Sequence, residues 1–213
     1  MSFVLTYDSL VTTIKNDLER PNDPIVIDSI DMWIKNAHEQ IGRDCNTLLF
    51  EVSLQGSFSA DNYVIQKPNR WQNTVAFNYG TGTGFNTYNN LYLRTYEFCR
   101  DYWPDTTQTS PPEFYADYTY GTWLISPTPD QAYPYEIVYL ETPQVIDSNF
   151  QTNYLTQFMP EILIRATLLE AMLTLKNDER KPVIEDSYVK LISSWNNKNK
   201  LRKYDRYTTR EAD

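Results

Sequence analysis

The chain has 213 residues, enough for one substantial domain or two small ones, and its 41% hydrophobic and 22% charged residues are ordinary for a globular protein. Its net charge of −9 argues against general nucleic-acid binding, which needs basic surface to displace counterions. No apolar run reaches the roughly 18 residues of a membrane span. Because Cys45 and Cys99 lack metal-ligand spacing and the N-terminus lacks a signal-peptide pattern, we expect folding in a reducing cytosol.

Two amphipathic helices are predicted at the N-terminal end of the chain. The first spans about Tyr7–Leu18, with Thr6 as its N-cap. The second begins with Asp23 as cap and Pro24 in its first turn, where a missing N–H costs nothing, and Gly42 is its expected C-terminal cap. Its predicted buried stripe consists of Ile27, Ile30, Ile34, Ala37 and Ile41.

Short runs rich in Tyr, Phe, Val, Ile and Thr replace the helical pattern between residues 48 and 140. Because short linkers and turn residues separate several of these runs, they predict antiparallel hairpins. The candidate strands are 48–54, 62–66, 71–79, 90–94, 114–120, 122–126 and 135–140. One short helix is expected among them, capped by Thr95 and stopped by Pro104.

Helical patterns resume after Pro143. Residues 158–177 are apolar over most of the helix circumference, which predicts a central helix buried on several sides. A last helix is predicted from about Pro182 to Asn196 or beyond. Residues 198–213 carry a charge of +3 and the rest of the chain −12, so the sequence predicts a flexible basic tail that docks elsewhere.

These patterns together predict an α+β fold. The N- and C-terminal helices, residues 1–46 and 147–199, form a discontinuous helical bundle. An antiparallel β-rich domain is inserted at residues 47–146, and residues 200–213 form the flexible basic tail.

The stretch "NYGTGTGFN", residues 78–86, carries three of the six glycines. A phosphate cradle needs a helix directly after the glycines, and a polar, strand-like segment follows here instead. We therefore predict a hairpin tip between residues 71–79 and 90–94 that contacts a neighbouring subunit or a tail protein. Its predicted contact residues are Gly80, Thr81, Gly82, Thr83, Gly84 and Phe85.

No residue pattern points to catalysis. His38 is the only histidine and has no cysteine or second histidine to pair with, so we interpret it as an ordinary histidine on a helix surface. The serines lie outside a GxSxG context, and no calcium-binding loop is present. The sequence therefore predicts a protein that is not an enzyme, with no catalytic residues, no metal and no cofactor.

The aromatic segments "YEFCRDYWPD" and "EFYADYTYGTW" allow two interpretations. Their rings could build core and subunit contacts in a β-rich region, which we favour. The alternative is an exposed stacking platform that includes Trp103 or Trp123, which would make the chain a carbohydrate-binding module.

Several segments together resemble one protein family. The most specific are "FCRDYWPDTTQT", "FYADY" and "SPTPD" within residues 96–143, and "LKNDER" within residues 151–180. These regions are similar to the middle and following segments of head-to-tail adaptor proteins of short-tailed bacteriophages, and "FVLTYDSLVTTIKNDLER" fits their N-terminus.

The resemblance implies a structural role in the virion, with assembly in the host cytoplasm. Such adaptors form a ring, expected to be dodecameric, beneath the portal protein, and they present a platform for the tail nozzle or tube. Packaged DNA passes through the channel without sequence-specific binding, and no membrane partner is expected. The family's C-terminal segment embraces the portal, which carries over to Lys200, Leu201, Arg202, Lys203, Tyr204, Arg206 and Tyr207.

Overall fold

The computed structural model describes residues 4–45, 50–81, 87–175 and 179–208, with side chains up to Asn199 in the last segment. The chain divides into a helical unit, Met1–Phe50 with Thr142–Asp213, and a β unit, Glu51–Glu141. The α+β class is confirmed.

The described elements follow the predicted order, with helices at both ends of the chain and strands between them. In chain order they are α1 (Tyr7–Asp17), α2 (Pro24–Asp44), β1 (Glu51–Ser57), β2 (Val64–Gln66), β3 (Trp71–Gly80), β4 (Tyr88–Asn90), β5 (Tyr92–Leu93), α3 (Tyr96–Tyr102), β6 (Phe114–Thr119), β7 (Thr122–Ser126), β8 (Pro134–Glu141), α4 (Tyr154–Phe158), α5 (Pro160–Leu175) and α6 (Lys181–Thr208). Helix α3 belongs to the β unit, and the other helices belong to the helical unit.

The predicted N-caps are confirmed. The hydroxyl of Thr6 accepts a hydrogen bond from the backbone N–H of Ser9, and the Asp23 carboxylate accepts one from Ile25. Each bond satisfies an N–H group that the first turn of a helix leaves free. Thr95 caps α3 in the same way by accepting from the N–H of Phe98.

The predicted end and buried stripe of α2 are partly wrong. The helix continues through Gly42 to Asp44, and Gly42 lies close to Pro143 instead of capping the helix. Ile27 is 49% exposed, and Val26 is buried in its place. At the start of α2 the buried stripe therefore runs through Val26, one turn before Ile30 and two turns before Trp33, instead of through Ile27.

Helix α5 is the central helix of the helical unit, as predicted. Leu163 and Ala166 are fully buried, and the Trp33 indole N–H of α2 donates to the Thr174 hydroxyl of α5 at 2.8 Å. The predicted helix start at residue 158 is wrong, because α4 ends at Phe158 and α5 begins at Pro160. Proline lacks the N–H that would continue α4, but it fits the first turn of α5.

The β unit contains two four-stranded sheets, with strand orders β1-β8-β3-β4 and β2-β7-β6-β5. The described pairs are antiparallel, as predicted, except that β5 runs parallel to β6. The strand predicted at residues 90–94 is split, since β4 joins the first sheet and β5 the second. Register shifts interrupt the pairing of β3 with β8, whereas β1 pairs with β8 without interruption.

Aromatic side chains form the core of the β unit. Phe77 of β3 lies at its centre, with ring centroids 5.2 Å from Tyr115, 5.5 Å from Trp123 and 5.6 Å from Tyr135. The buried members of this core are Phe58, Phe77, Tyr79, Leu91, Tyr115, Trp123, Ile125, Tyr133, Ile137 and Tyr139. The interpretation of the aromatic segments as core is therefore confirmed for Tyr115 and Trp123.

Gly56 of β1 makes room for the Tyr135 ring on the neighbouring strand. A Cβ at Gly56 would lie 2.4 Å from Cζ of Tyr135, whose ring is wedged against Phe58 at 4.9 Å between centroids. We expect Gly56→Ala to raise core strain and lower the free energy of unfolding by about 1–3 kcal/mol. Urea unfolding monitored by fluorescence measures this, with Ser53→Ala on the same strand as control. Equal stability of the two variants would show that Tyr135 can move freely.

Candidate docking surfaces

The predicted portal-docking segment continues a helix that is firmly anchored. The Tyr188 hydroxyl of α6 donates to the Asp44 carboxylate of α2 at 2.7 Å, and Asn196 donates to the Asp44 carbonyl at 2.9 Å. Burial and the bond to Asp44 raise the pKa of Tyr188. The buried side chains of α6 extend to Asn199.

The backbone beyond Asn199 stays helical up to Thr208. Residues Lys200, Leu201, Arg202, Lys203, Tyr204, Arg206 and Tyr207 therefore belong to the last turns of α6. Their side chains and residues 209–213 lie outside the described part of the structure. Both the flexibility of residues 200–213 and their role in docking stay predictions.

The glycine-rich stretch connects two paired strands of the first sheet. Gly80 pairs with Tyr88, and the Thr81 N–H donates to the Thr87 carbonyl at 3.3 Å. Gly80 and Thr81 are described, whereas Gly82, Thr83, Gly84 and Phe85 lie outside the described residues. The predicted hairpin is confirmed, with β4 as its second strand, and the predicted contact with a neighbouring protein is untested.

An exposed aromatic surface lies beside β5, at the edge of the second sheet. We define the aromatic face as Tyr92, Arg94, Phe98, Tyr102 and Phe114. The Phe98 and Tyr102 rings are stacked at 5.9 Å, and Phe114 meets Phe98 edge-on at 5.4 Å. The Arg94 guanidinium lies 5.6 Å from the Phe98 ring centroid and 5.7 Å from that of Phe114. Such stacked aromatic and arginine side chains are typical of protein–protein interfaces.

A second arginine is stacked on the other flank of α3. The Arg100 guanidinium lies 5.2 Å from the Tyr63 ring and 5.4 Å from the Tyr96 ring. Tyr96 in turn stacks on Tyr118 at 5.7 Å. Between these flanks, Cys99 points inward and packs on Ala116, so α3 displays rings on both of its sides.

The structure argues against the alternative of a carbohydrate platform that includes Trp103 or Trp123. Trp123 is only 2% exposed and meets Trp71 edge-on in the core at 5.6 Å, so it cannot stack on a sugar. Trp103 is half-buried, and its indole N–H donates to the Gln108 carbonyl at 2.9 Å. The two aromatic segments do contain exposed rings, but these rings belong to phenylalanine and tyrosine and not to tryptophan.

His38 is fully buried, so its interpretation as a surface histidine is wrong. Its Nδ1–H donates to the Ile34 carbonyl at 2.7 Å, and its Nε2 accepts from the Asn153 amide at 2.9 Å. The same amide donates to the Gln144 carbonyl at 2.6 Å. Both ring nitrogens are therefore hydrogen-bonded to neutral groups, which is typical of a histidine with a structural role.

The stability of the helical unit should depend on the protonation of His38. Burial lowers its pKa below the usual 6.5, whereas the hydrogen bond to Ile34 acts in the opposite direction. At pH 7.5 the His38 side chain is neutral in both the folded and the unfolded protein. Below pH 6.5 it takes up a proton in the unfolded protein first. We therefore expect the free energy of unfolding to fall by up to about 1.4 kcal/mol between pH 7.5 and 5.5.

Denaturant unfolding of the wild type and of His38→Gln at these two pH values measures this effect. A glutamine side chain cannot titrate, so the variant should lose less stability over the same interval. Equal losses in both proteins would contradict the assignment to His38.

The described residues contain no group of three or more His, Cys, Asp or Glu side chains that could hold a metal ion. Cys45 and Cys99 are buried free thiols, and burial raises the pKa of both. Among the described helices, none combines the length and apolar composition needed to cross a bilayer.

The chain matches a known protein family. The sequence model of the SU10 adaptor protein family matches residues 5–208. The match begins before α1 and ends at the last residue of α6, so it includes both units. No curated protein matches the chain.

Proposed function

The chain belongs to the SU10 adaptor protein family, a family of phage adaptors, and we propose that it joins head to tail as one subunit of a ring beneath the portal. The ring extends the DNA channel and offers a docking platform to the tail nozzle or tube of a short-tailed phage. The subunits are made and assembled in the host cytoplasm. The observation that carries this proposal is the family match over residues 5–208.

The charge distribution supports a channel role. Outside residues 198–213 the chain carries a net charge of −12. Each lysine or arginine that contacts a phosphate releases counterions and adds affinity, so an acidic channel wall lets DNA pass without being held.

The C-terminal end of α6 is our proposed contact with the portal. The helix is held by Tyr188, Ile192 and Asn196, and its backbone continues from the buried Asn199 to Thr208. These residues supply most of the basic side chains of residues 198–213, whose net charge is +3. In a ring, each subunit contributes one such contact, and the contacts reinforce one another because binding of the first raises the effective concentration of the others.

The β3–β4 hairpin is our proposed contact with a neighbouring subunit or with the nozzle. Its paired strands fix both ends of the stretch from Gly80 to Thr87. Gly82 and Gly84 in the sequence of its tip allow backbone conformations that other residues rarely adopt.

Sedimentation of the chain with and without the portal protein of the same virus tests this function. The chain alone is expected to sediment as a monomer. With portal rings present, it should co-sediment with them in a fixed ratio at physiological salt. A chain that remains monomeric beside intact portal rings, at low as well as physiological salt, would contradict the proposal.

A further inference from the structure

A groove lies along helix α5 of the helical unit, between α1 and α6. It consists of two end cavities of about 330 and 310 Å³ and a middle cavity of about 300 Å³. The middle cavity shares Asp17 and Arg165 with the first end and Glu161 and Leu191 with the second. The three cavities are therefore neighbours along one surface, which we call the α5 groove.

The two ends of the α5 groove are mainly apolar, and its middle is charged. The apolar side chains are Leu168, Met172 and Ile184 at the first end and Phe158, Ile162 and Trp195 at the second. The middle contains Arg165 with Asp17 and Glu161. Among the described residues no carboxylate lies within ion-pair distance of Arg165, so its guanidinium is available to a partner.

The α5 groove faces away from helix α2. Arg165, Leu168 and Met172 recur every three or four residues, which places them on one face of α5. Glu170 and Thr174, which accept hydrogen bonds from Asn36 and Trp33 of α2, lie on the opposite face. Helix α2 and the groove are therefore on opposite sides of α5.

The outer face of α2 displays two apolar side chains with a carboxylate between them. Ile25 and Met32 are 55% and 51% exposed, and their spacing of seven residues places them in line on the face opposite the buried Val26 and Ile30. Asp28 is exposed between them and forms no ion pair among the described residues. We call Ile25, Asp28 and Met32 the α2 stripe.

The α2 stripe and the α5 groove are complementary in spacing and charge. Ile25 and Met32 are about 10.5 Å apart along their helix, and Leu168 and Ile162, at the near sides of the two apolar ends, are about 9 Å apart along α5. Asp28 lies between the two apolar residues of the stripe, just as Arg165 lies between Ile162 and Leu168. Opposite charges that meet in this way fix the register of a contact.

We propose that the α2 stripe of one copy docks in the α5 groove of the next copy, with Asp28 opposite Arg165. The two surfaces are different and lie on opposite sides of the helical unit, so the contact is head-to-tail. Such contacts repeat from copy to copy and close into a ring when the rotation allows. The inference rests on the proposed function, because it names the surfaces through which the ring subunits meet.

Cysteine cross-linking on portal rings tests this contact. Asp28→Cys and Arg165→Cys are combined in one chain and oxidised with copper phenanthroline, which accepts the electrons as two thiols form one disulfide. The native Cys45 and Cys99 are buried. The double variant should give a ladder of disulfide-linked multimers when portal is added. A mixture of the two single variants should stop at dimers, because each chain then carries one reactive thiol.

The matched control is Glu39→Cys with Arg165→Cys. Glu39 is exposed on α2 and also acidic, but it lies eleven residues beyond Asp28, about 16 Å along the helix axis. A disulfide needs Cα atoms within about 7 Å of each other, so the control should give at most a tenth of the multimers.

Charge exchange is the second measurement of the same contact. Arg165→Glu should lower the number of copies retained on portal rings at least tenfold, and adding Asp28→Arg to the same chain should restore it. Adding Glu39→Arg instead should not restore it. If the wild type binds the portal but Asp28→Arg gives no restoration, or both cysteine pairs cross-link equally, the contact is overturned while the adaptor function stands. If the wild type does not bind the portal, the function and the contact both fail.

Discussion

Replacing Phe77 with alanine is expected to lower the free energy of unfolding by about 3–5 kcal/mol. The Phe77 ring is 2% exposed and has aromatic neighbours in both sheets: Tyr135 in the first, and Tyr115 and Trp123 in the second. Removing it leaves a cavity where these rings meet. The surrounding strands can fill that cavity only partly, because the backbones of both sheets are fixed by their hydrogen bonds.

Urea unfolding followed by tryptophan fluorescence measures this loss. Val75→Ala is the matched control, because Val75 lies on the same strand but is largely exposed. Its stability should change by no more than about 0.5 kcal/mol. If Phe77→Ala were no less stable than Val75→Ala, the aromatic cluster would not be the core of the β unit.

Removing residues 200–213 is expected to abolish binding to the portal and to leave a folded monomer. Asn199 is the last side chain of α6 that the structure describes, and the hydrogen bonds of the helix to Asp44 come from Tyr188 and Asn196, so the deletion spares these contacts. Because ring contacts reinforce one another, loss of one contact per subunit should weaken attachment by at least on the order of 100-fold. Surface-immobilised portal rings give the affinity, and circular dichroism shows whether the chain is folded.

Charge substitutions separate the basic residues from the length of the helix. Changing Lys200, Arg202, Lys203 and Arg206 to Gln should weaken portal binding and reduce its salt dependence. The control with the same net charge changes four exposed basic residues elsewhere in the helical unit: Arg20, Lys35, Arg43 and Lys190. If both variants bound equally, overall charge would explain the binding and the C-terminal segment would have no specific role.

Local signals explain most of what the sequence predicted correctly. Thr6, Asp23 with Pro24, and Thr95 mark helix starts through contacts within two or three residues of the chain. Strand β7 was predicted at its observed limits, Thr122–Ser126, because turn residues bound it on both sides. These features depend on residues that are close together in the chain, so a single sequence is enough to predict them.

The missed features depend on neighbours distant in sequence. Glu51 of β1 pairs with Leu140 of β8, and nothing in either segment specifies a partner so far along the chain. The burial of His38 depends on Asn153, a residue on another helix start. The division between β4 and β5 arises because Leu91 bonds to Phe77 of the first sheet while Tyr92 bonds to Glu113 beside the second.

Only part of the candidate docking surfaces could be predicted from the sequence, for the same reason. The segments "YEFCRDYWPD" and "EFYADYTYGTW" were recognised as aromatic, but only the fold shows that Trp123 is in the core while Phe98 and Tyr102 are exposed. Arg94 was missed, because its stacking on Phe114 joins two segments separated by α3.

Electron microscopy of portal rings incubated with this chain tests the central claim most directly. We expect a closed ring of added density on one face of the portal, coaxial with its channel and with one adaptor copy per portal subunit. The ring should be absent when the chain lacks residues 200–213. Portal rings without added density, or copies bound around the rim that leave no continuous central channel, would contradict the account.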